Sequence, residues 1–301
     1  MIKYFKTLLV LSLLWMGVFG VPIAAAQKIN IEALKVKLDG YTPPPELLAA
    51  LETVSNTGDV SALRDALLKA LLSDGANAKL ILKSAMIANM SAGLEVFQDV
   101  MQDFVKSAPK NLDSVLSNIV AGAIEAGVVA ADANSEIENV IEIVVAASSE
   151  VIASSDNVSA ASLEAITSSA VMAVLESEQN DSVDSFKLVE LVAGSAVKGA
   201  IASGSGSSSE LNKLIKATMV GLVNTVLTAS ISSDLDIDQL LDSASAGAQS
   251  SIVAALGQEN ELSASLSETM QASVESAVET QIQTVSEPAA EEDSGESVSP
   301  N

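Results

Sequence analysis

Ile137-Glu138-Asn139-Val140-Ile141-Glu142-Ile143-Val144-Val145-Ala146-Ala147-Ser148-Ser149-Glu150-Val151-Ile152 is the stretch that decides the fold class. Ile137, Val140, Ile141, Val144, Val145, Ser148, Val151 and Ile152 recur at i, i+3, i+4, i+7 steps, the spacing of one face of an α-helix. The many valines would suit a strand. The alternation that a strand requires is absent, however, and Ala and Glu are frequent, so the stretch predicts a helix. The same pattern returns at Leu211, Leu214, Ile215, Met219, Leu222 and Val226. There Val220, Val223 and Leu227 add a second apolar flank, as expected of an interior helix packed from both sides.

Working outward, apolar positions that open such patterns fall at Leu112, Ile137, Leu163, Leu188, Leu211, Ile237 and Leu262. Their spacings are 25, 26, 25, 23, 26 and 25 residues. Between them lie clusters of turn and N-cap residues: Asp132 to Ser135, Ser154 to Ser159, Gln179 to Asp184, Ser203 to Ser209, Ser230 to Asp236 and Gly257 to Asn260. Each unit reads as one helix plus a short turn. The expected fold is all-α, an array of antiparallel helices with a period of about 25 residues, as a stacked α-solenoid or alternatively a closed helical bundle. Gly122, Gly127, Gly194, Gly199 and Gly221 fall inside predicted helices, where each costs about 1 kcal/mol against Ala. Close backbone approach between helices would offset that cost.

Four stretches separate by composition. Residues 1–26 carry Lys3 and Lys6, then the uninterrupted, mostly apolar run Thr7 to Val21, then Pro22 and Ala24-Ala25-Ala26. This is the pattern of a secretory signal peptide, with Ala24 and Ala26 at the −3 and −1 positions and Gln27 as the first mature residue. The run of fifteen is short of the about 20 residues that a membrane span needs. Residues 27–110 hold nine basic and ten acidic residues. They predict an irregular helical part, with helices near 46–55, 59–73, 76–90 and 94–107. Asp59 and Ser61 are capping candidates there, and Pro43-Pro44-Pro45 enforces an extended start. Residues 111–285 form the repeat array. Residues 286–301, acidic and poor in apolar groups, read as a disordered tail. The longest uncharged stretch after the signal, Ala217 to Ser233, contains Asn224 and several Ser and Thr and reads as a buried helix, leaving no transmembrane span in the mature chain.

Composition excludes much chemistry. The chain has 301 residues, no histidine, no cysteine, 3% aromatic residues and a formal net charge of −24. It therefore has no imidazole base or ligand, no thiol nucleophile, no disulfide and no cysteine-held metal or lipid anchor. Binding to a phosphate backbone requires clustered Lys and Arg, so nucleic acid is not an expected partner. With the signal removed, Tyr41, Phe97, Phe104 and Phe186 are the remaining aromatics, too few for base or sugar stacking.

Four motifs invite a chemical reading. Ser107-x-x-Lys110 and Ser195-x-x-Lys198 match the S-x-x-K element of serine acylases, and Ser155-Asp156-Asn157 matches a second element. With 43 Ser and 14 Lys in 301 residues, chance alone places about two S-x-x-K pairs, and the K-T-G element is missing. Asp234-x-Asp236-x-Asp238 opens like a calcium loop. The required glycine position is Gln239 and the bidentate position is Ser245, so the run reads as a helix N-terminus. The pairs Glu136/Glu138, Glu176/Glu178 and Glu259/Glu261 read as solvated helix ends. The Gly/Ser-rich stretch Ala202 to Ser209 lacks the lysine of a phosphate loop and reads as a connection.

No catalytic, metal or cofactor residues are therefore expected. The chemistry points to an exported protein of the periplasm or cell exterior with a structural or protein-interaction role, engaging a protein partner or its own copies. The alternative is a carrier of lipid or another apolar ligand. Residues 111–186 carry thirteen acids and no Lys or Arg, a sorting that suits solubility or a salty exterior, or else an acidic face that meets a basic partner or repels anionic membranes and nucleic acids.

Overall fold

A computed structural model describes residues 30–107, 111–130, 134–155, 160–176, 184–203, 207–230 and 236–286. The signal residues Ala24, Ala26 and Gln27 and the acidic tail beyond 286 lie outside the described residues. So do most of the expected turn clusters.

The described residues form twelve α-helices and no strand. The N-terminal part holds α1 (Ile31–Lys37), α2 (Pro45–Thr57), α3 (Ser61–Ser73), α4 (Ala78–Ala88) and α5 (Met90–Lys106), with a 3-10 turn (Gly75–Asn77) before α4. The array continues with α6 (Leu112–Ala130), α7 (Asn134–Ala153), α8 (Ala160–Glu176), α9 (Ser185–Ala202), α10 (Ser208–Ser230), α11 (Ile237–Leu256) and α12 (Glu261–Ser286).

Local chemistry starts and stops these helices. Side chains of Asn30, Asn89, Asp184 and Asp236 accept from the backbone N–H three residues on, each at 3.1 Å. Pro45 stands at the first position of α2, and Gly58 ends it in the left-handed region at φ 73°. Asp59 accepts from Ser61 N at 2.9 Å and Ser61 Oγ at 2.6 Å, closing the turn that leads into α3. The expected apolar face of α7 is buried in full, from Ile137 to Ile152 and including Ser148. In α10 the face Leu211 to Val226 is buried, and of the second flank Val223 is buried while Val220 and Leu227 are half-buried.

The packing unit differs from the sequence unit. From α3 onward each helix packs most extensively on a helix two along the chain, and less on its immediate neighbour, whereas α2 packs chiefly on α3. Two layers result: α3, α5, α7, α9 and α11 in one, and α4, α6, α8, α10 and α12 in the other. Consecutive helices run antiparallel between layers, so neighbours within a layer are parallel. The structural repeat is thus a helix pair. The helices at the two ends do not pack on each other, so the array is an open two-layer stack, not a closed bundle. Ser168 with Thr225, and Asn212 with Thr269, join parallel neighbours across 57 residues of chain. Two sequence units span about 50 residues, so at these two crossings the parallel neighbours are offset by roughly seven residues, or about 10 Å.

Glycine enables the close contacts within layers. Gly122 lies on the Lys79 carbonyl, Gly199 on Ala146, Gly221 on Glu164 and Gly247 on Glu190. A Cβ at Gly221 would sit 3.0 Å from the Glu164 carbonyl carbon, and one at Gly122 would sit 2.9 Å from that of Lys79. Both ends of the stack carry polar outer faces. Glu46, Glu52, Thr53 and Asn56 are exposed on α2, and Glu268, Gln271, Glu275 and Glu279 on α12. Terminal repeats of this kind shield an array from continued stacking.

Candidate functional site

The scarce cations are built into the fold. On α4, Lys79 and Lys83 stand one turn apart and share Glu125 of α6, with Lys83 Nζ 3.2 Å from Glu125 Oε2. The Lys83 and Glu125 side chains are only 12% and 17% exposed. In the other layer, Arg64 of α3 donates to Asp103 of α5 and lies 4.0 Å from Asp99. That hydrogen bond holds the Asp103 carboxyl below the ordinary aspartate range and raises the guanidinium pKa. Lys198 of α9 donates to Glu142 of α7 at 2.7 Å, and Lys69 of α3 to Glu46 of α2 at 3.0 Å. Lys35, Lys106, Lys187 and Lys213 pair with acids one turn away on their own helices.

Cations that bridge helices are therefore committed, and the outward surface is dominated by carboxylates. Exposed Glu95 on α5 and exposed Glu268, Glu275 and Glu279 on α12 typify it. Glu150 of α7 is an exception, half-buried, with its pKa raised by burial. Tyr41 is also shifted upward, by burial and then by the Asp74 charge.

Each sequence motif has a place. Ser195 is buried inside α9, and the Lys198 ammonium is engaged by Glu142 on another helix. Ser107 Oγ donates to Asp103 O at 2.8 Å. Lys110, Asp156 and Asn157 lie outside the described residues. Asp236 caps α11 and Asp238 occupies its first turn, as read from sequence, while Asp234 lies outside the described residues. Glu136 stands in the first turn of α7, Glu176 ends α8, Glu261 opens α12, and Glu178 lies outside the described residues. Among the described residues, no three Asp or Glu converge as a metal site. Phe97 and Phe104 are buried, which removes them as stacking platforms.

Two surface features were not singled out by sequence. A shallow open groove on α3 runs over Leu68 and Leu72 between Asp65, Lys69 and Ser73. Among the described helices, α6 is the one long and apolar enough to cross a membrane by length and composition, and half of its apolar window is buried by the stack. Residues 217–230, the uncharged stretch noted in the sequence, lie in α10, with Met219, Leu222, Val223 and Val226 fully buried. The Lys79/Lys83–Glu125 cluster could have been suspected from two lysines four residues apart in an apolar helix. Their partner, 42 residues onward from Lys83, carries no local signal.

No protein-family model matches this chain, and no curated protein matches it.

Proposed function

We propose that this chain is an exported, non-catalytic scaffold that works by presenting its outer helical faces to a protein partner. The observation behind this reading is the open two-layer stack. Its described helices from α2 onward share one continuous apolar core, and its outer faces are long and carboxylate-rich. Repeat arrays of this shape offer extended surfaces for recognition. A surface of this charge favours a partner with basic patches and gives association that weakens with salt.

The test is site-specific photo-crosslinking in the producing cell. A photoreactive residue is placed at exposed Asp99 on α5, Ile143 on α7 or Asp242 on α11 in one layer, or at exposed Glu268 on α12 in the other. Discrete protein adducts from one layer face, lost in high salt, support the reading. Absence of adducts from every face, together with co-flotation of the purified protein with zwitterionic vesicles, would instead make it a lipid carrier.

A further inference from the structure

The first described helix is also the least tethered. Of the described α-helices, α1 has the least extensive packing, and it rests chiefly on α4. Its buried side chains are Leu34 and, at the C-cap, Leu38, one turn apart. Both stand outside the apolar cluster that runs from Leu47 of α2 to Ala277 of α12. Among the described residues, no hydrogen bond or ion pair ties α1 to another helix. Its bonds are local: Ala33 N donates to Asn30 Oδ1 at 3.1 Å, Lys35 Nζ to Glu32 Oε1 at 3.2 Å and Gly40 N to Lys35 O at 2.9 Å. The next helix, α2, is held differently, with Glu46 accepting from Lys69 of α3 and Leu47, Leu51 and Val54 inside the cluster.

The chain changes character directly after Leu38. Asp39 and Gly40 both hold positive φ, 53° and 86°. Tyr41 then packs against the core cluster, Pro43 is buried, and Pro45 opens α2. The backbone is thus pinned from Tyr41 onward, and two residues between that pin and α1 stand where a change of direction is absorbed. Left-handed backbone is unfavourable for a residue with a Cβ, so the docked arrangement also holds Asp39 where a free chain seldom goes. A helix of seven residues does not persist by itself in water. Undocking therefore unwinds α1, and the chain freedom regained offsets much of what burying two leucines contributes. A segment held in this way belongs to the low end of the range of local opening free energies.

We propose that α1 is a releasable strap over α4, hinged at Asp39-Gly40 and latched by Leu34 and Leu38 alone. Latched, it covers part of the first helix of its layer. Released, it bares that part of α4 together with its own two leucines, while Tyr41 keeps the rest of the chain in place. The N-terminal end of the stack thus alternates between a covered and an apolar surface, and no contact from α2 onward has to change.

Residue-resolved hydrogen exchange on the full chain reads the released fraction, because an amide that exchanges only when the strap is off is slowed by the inverse of that fraction. The amides of residues 34–38 are expected to be slowed together, by no more than about 100-fold against an unstructured peptide, and those of α4 by more than about 10,000-fold. Replacing both leucines, Leu34→Ser with Leu38→Ser, should abolish the slowing in α1 and leave it unchanged in α2, α3 and α4. Three results would overturn the strap. Amides of α1 as slow as those of α4 would show it held as firmly as the stack. Slowing that climbs residue by residue toward Leu38 would show fraying in place. Faster exchange of α2 to α4 in the double variant would show the two leucines to be part of the core.

Discussion

Replacing Gly247 with alanine tests the packing between parallel helices at its tightest point. A Cβ there would stand 2.8 Å from the Glu190 carbonyl carbon and nearer still to its oxygen, against 3.4–4 Å for ordinary contact. The obstacle is helix backbone, so α11 must move from α9 by about 1 Å, a gap that forfeits a quarter to a half of the dispersion across it. Leu240, Ala244, Ala248 and Ile252 of α11 are buried. Overpacking against a rigid wall belongs at the upper end of its range, about 3 kcal/mol. Replacing a mid-helix glycine returns about 1 kcal/mol. The net expectation is a loss of about 2 kcal/mol, or roughly 30-fold in the local opening equilibrium. In an array, that loss stays with the affected neighbours. Hydrogen exchange should therefore accelerate in α11 and α12 and remain unchanged in α4 to α6. Gly93→Ala is the control. Its Cβ would meet Met86 Cγ at 2.9 Å, a side-chain atom rather than a carbonyl, so the loss should be smaller than at Gly247. If Gly247→Ala exchanges no faster than the parent, the close-packing argument is wrong.

Three other outcomes follow from named contacts. Glu125→Ala leaves the 12%-exposed Lys83 side chain without its partner; breaking a fully buried pair costs 3–5 kcal/mol, and partial exposure lowers this to about 1–3 kcal/mol, read as a drop in urea midpoint at constant slope. Asp236→Ala removes the cap of α11 and should cost about 1 kcal/mol, with Asp236→Asn nearly neutral. Asp103 is held below its usual 3.8 chiefly by the hydrogen bond from Arg64. Its contribution to stability is thus present above pH 3.8 and disappears as pH falls through the lowered folded value. A thermal scan against pH should show that acid-side loss in the parent and not in Asp103→Asn; equal profiles would contradict it.

The sequence pattern identifies buried faces well and neighbours poorly, for a physical reason. Periodicity reports which side of a helix avoids water, so the face from Ile137 to Ile152 is legible without any structure. It does not report which helix covers that face. Short turns make consecutive helices antiparallel neighbours, and they do pack on each other, but parallel helices two along pack more extensively. The interior glycines hinted at this, since Gly122, Gly199 and Gly221 do meet backbone. Gly247 does the same and was not noticed, because a single glycine among alanines in α11 breaks no pattern. Helix α1 was missed too. At seven residues it has little periodicity of its own, and helices this short form through docking rather than propensity. Here Leu34 and Leu38 supply the docking. Partners of the cations that bridge helices are illegible in the sequence, because Arg64, Lys83 and Lys198 find carboxylates 39, 42 and 56 residues away.

A chain with 43 serines has to bury hydroxyls if most of it is to be packed helix, and the way it does so explains the small-residue core. Thr167, Thr218 and Thr225 are buried and donate to the carbonyls of Leu163, Leu214 and Gly221, four residues back on their own helices. Ser273 does the same to Thr269. A hydroxyl satisfied within its own helix needs no partner across the interface, so Ser and Thr can occupy positions where Ala would otherwise stand. Hydrophobic gain per residue falls as side chains shrink. Closer approach of the helices recovers part of it through contacts between backbones. The large residues Phe97, Met101 and Phe104 lie before residue 110, the backbone contacts of Gly199, Gly221 and Gly247 lie after it, and that of Gly122 on Lys79 joins the two parts. The shift in composition near that position is thus a shift in how helices are held together. The first part relies on the volume of its side chains, and the rest relies on how closely the helices pack. The rest should therefore be the less tolerant of any added methyl group at its crossings.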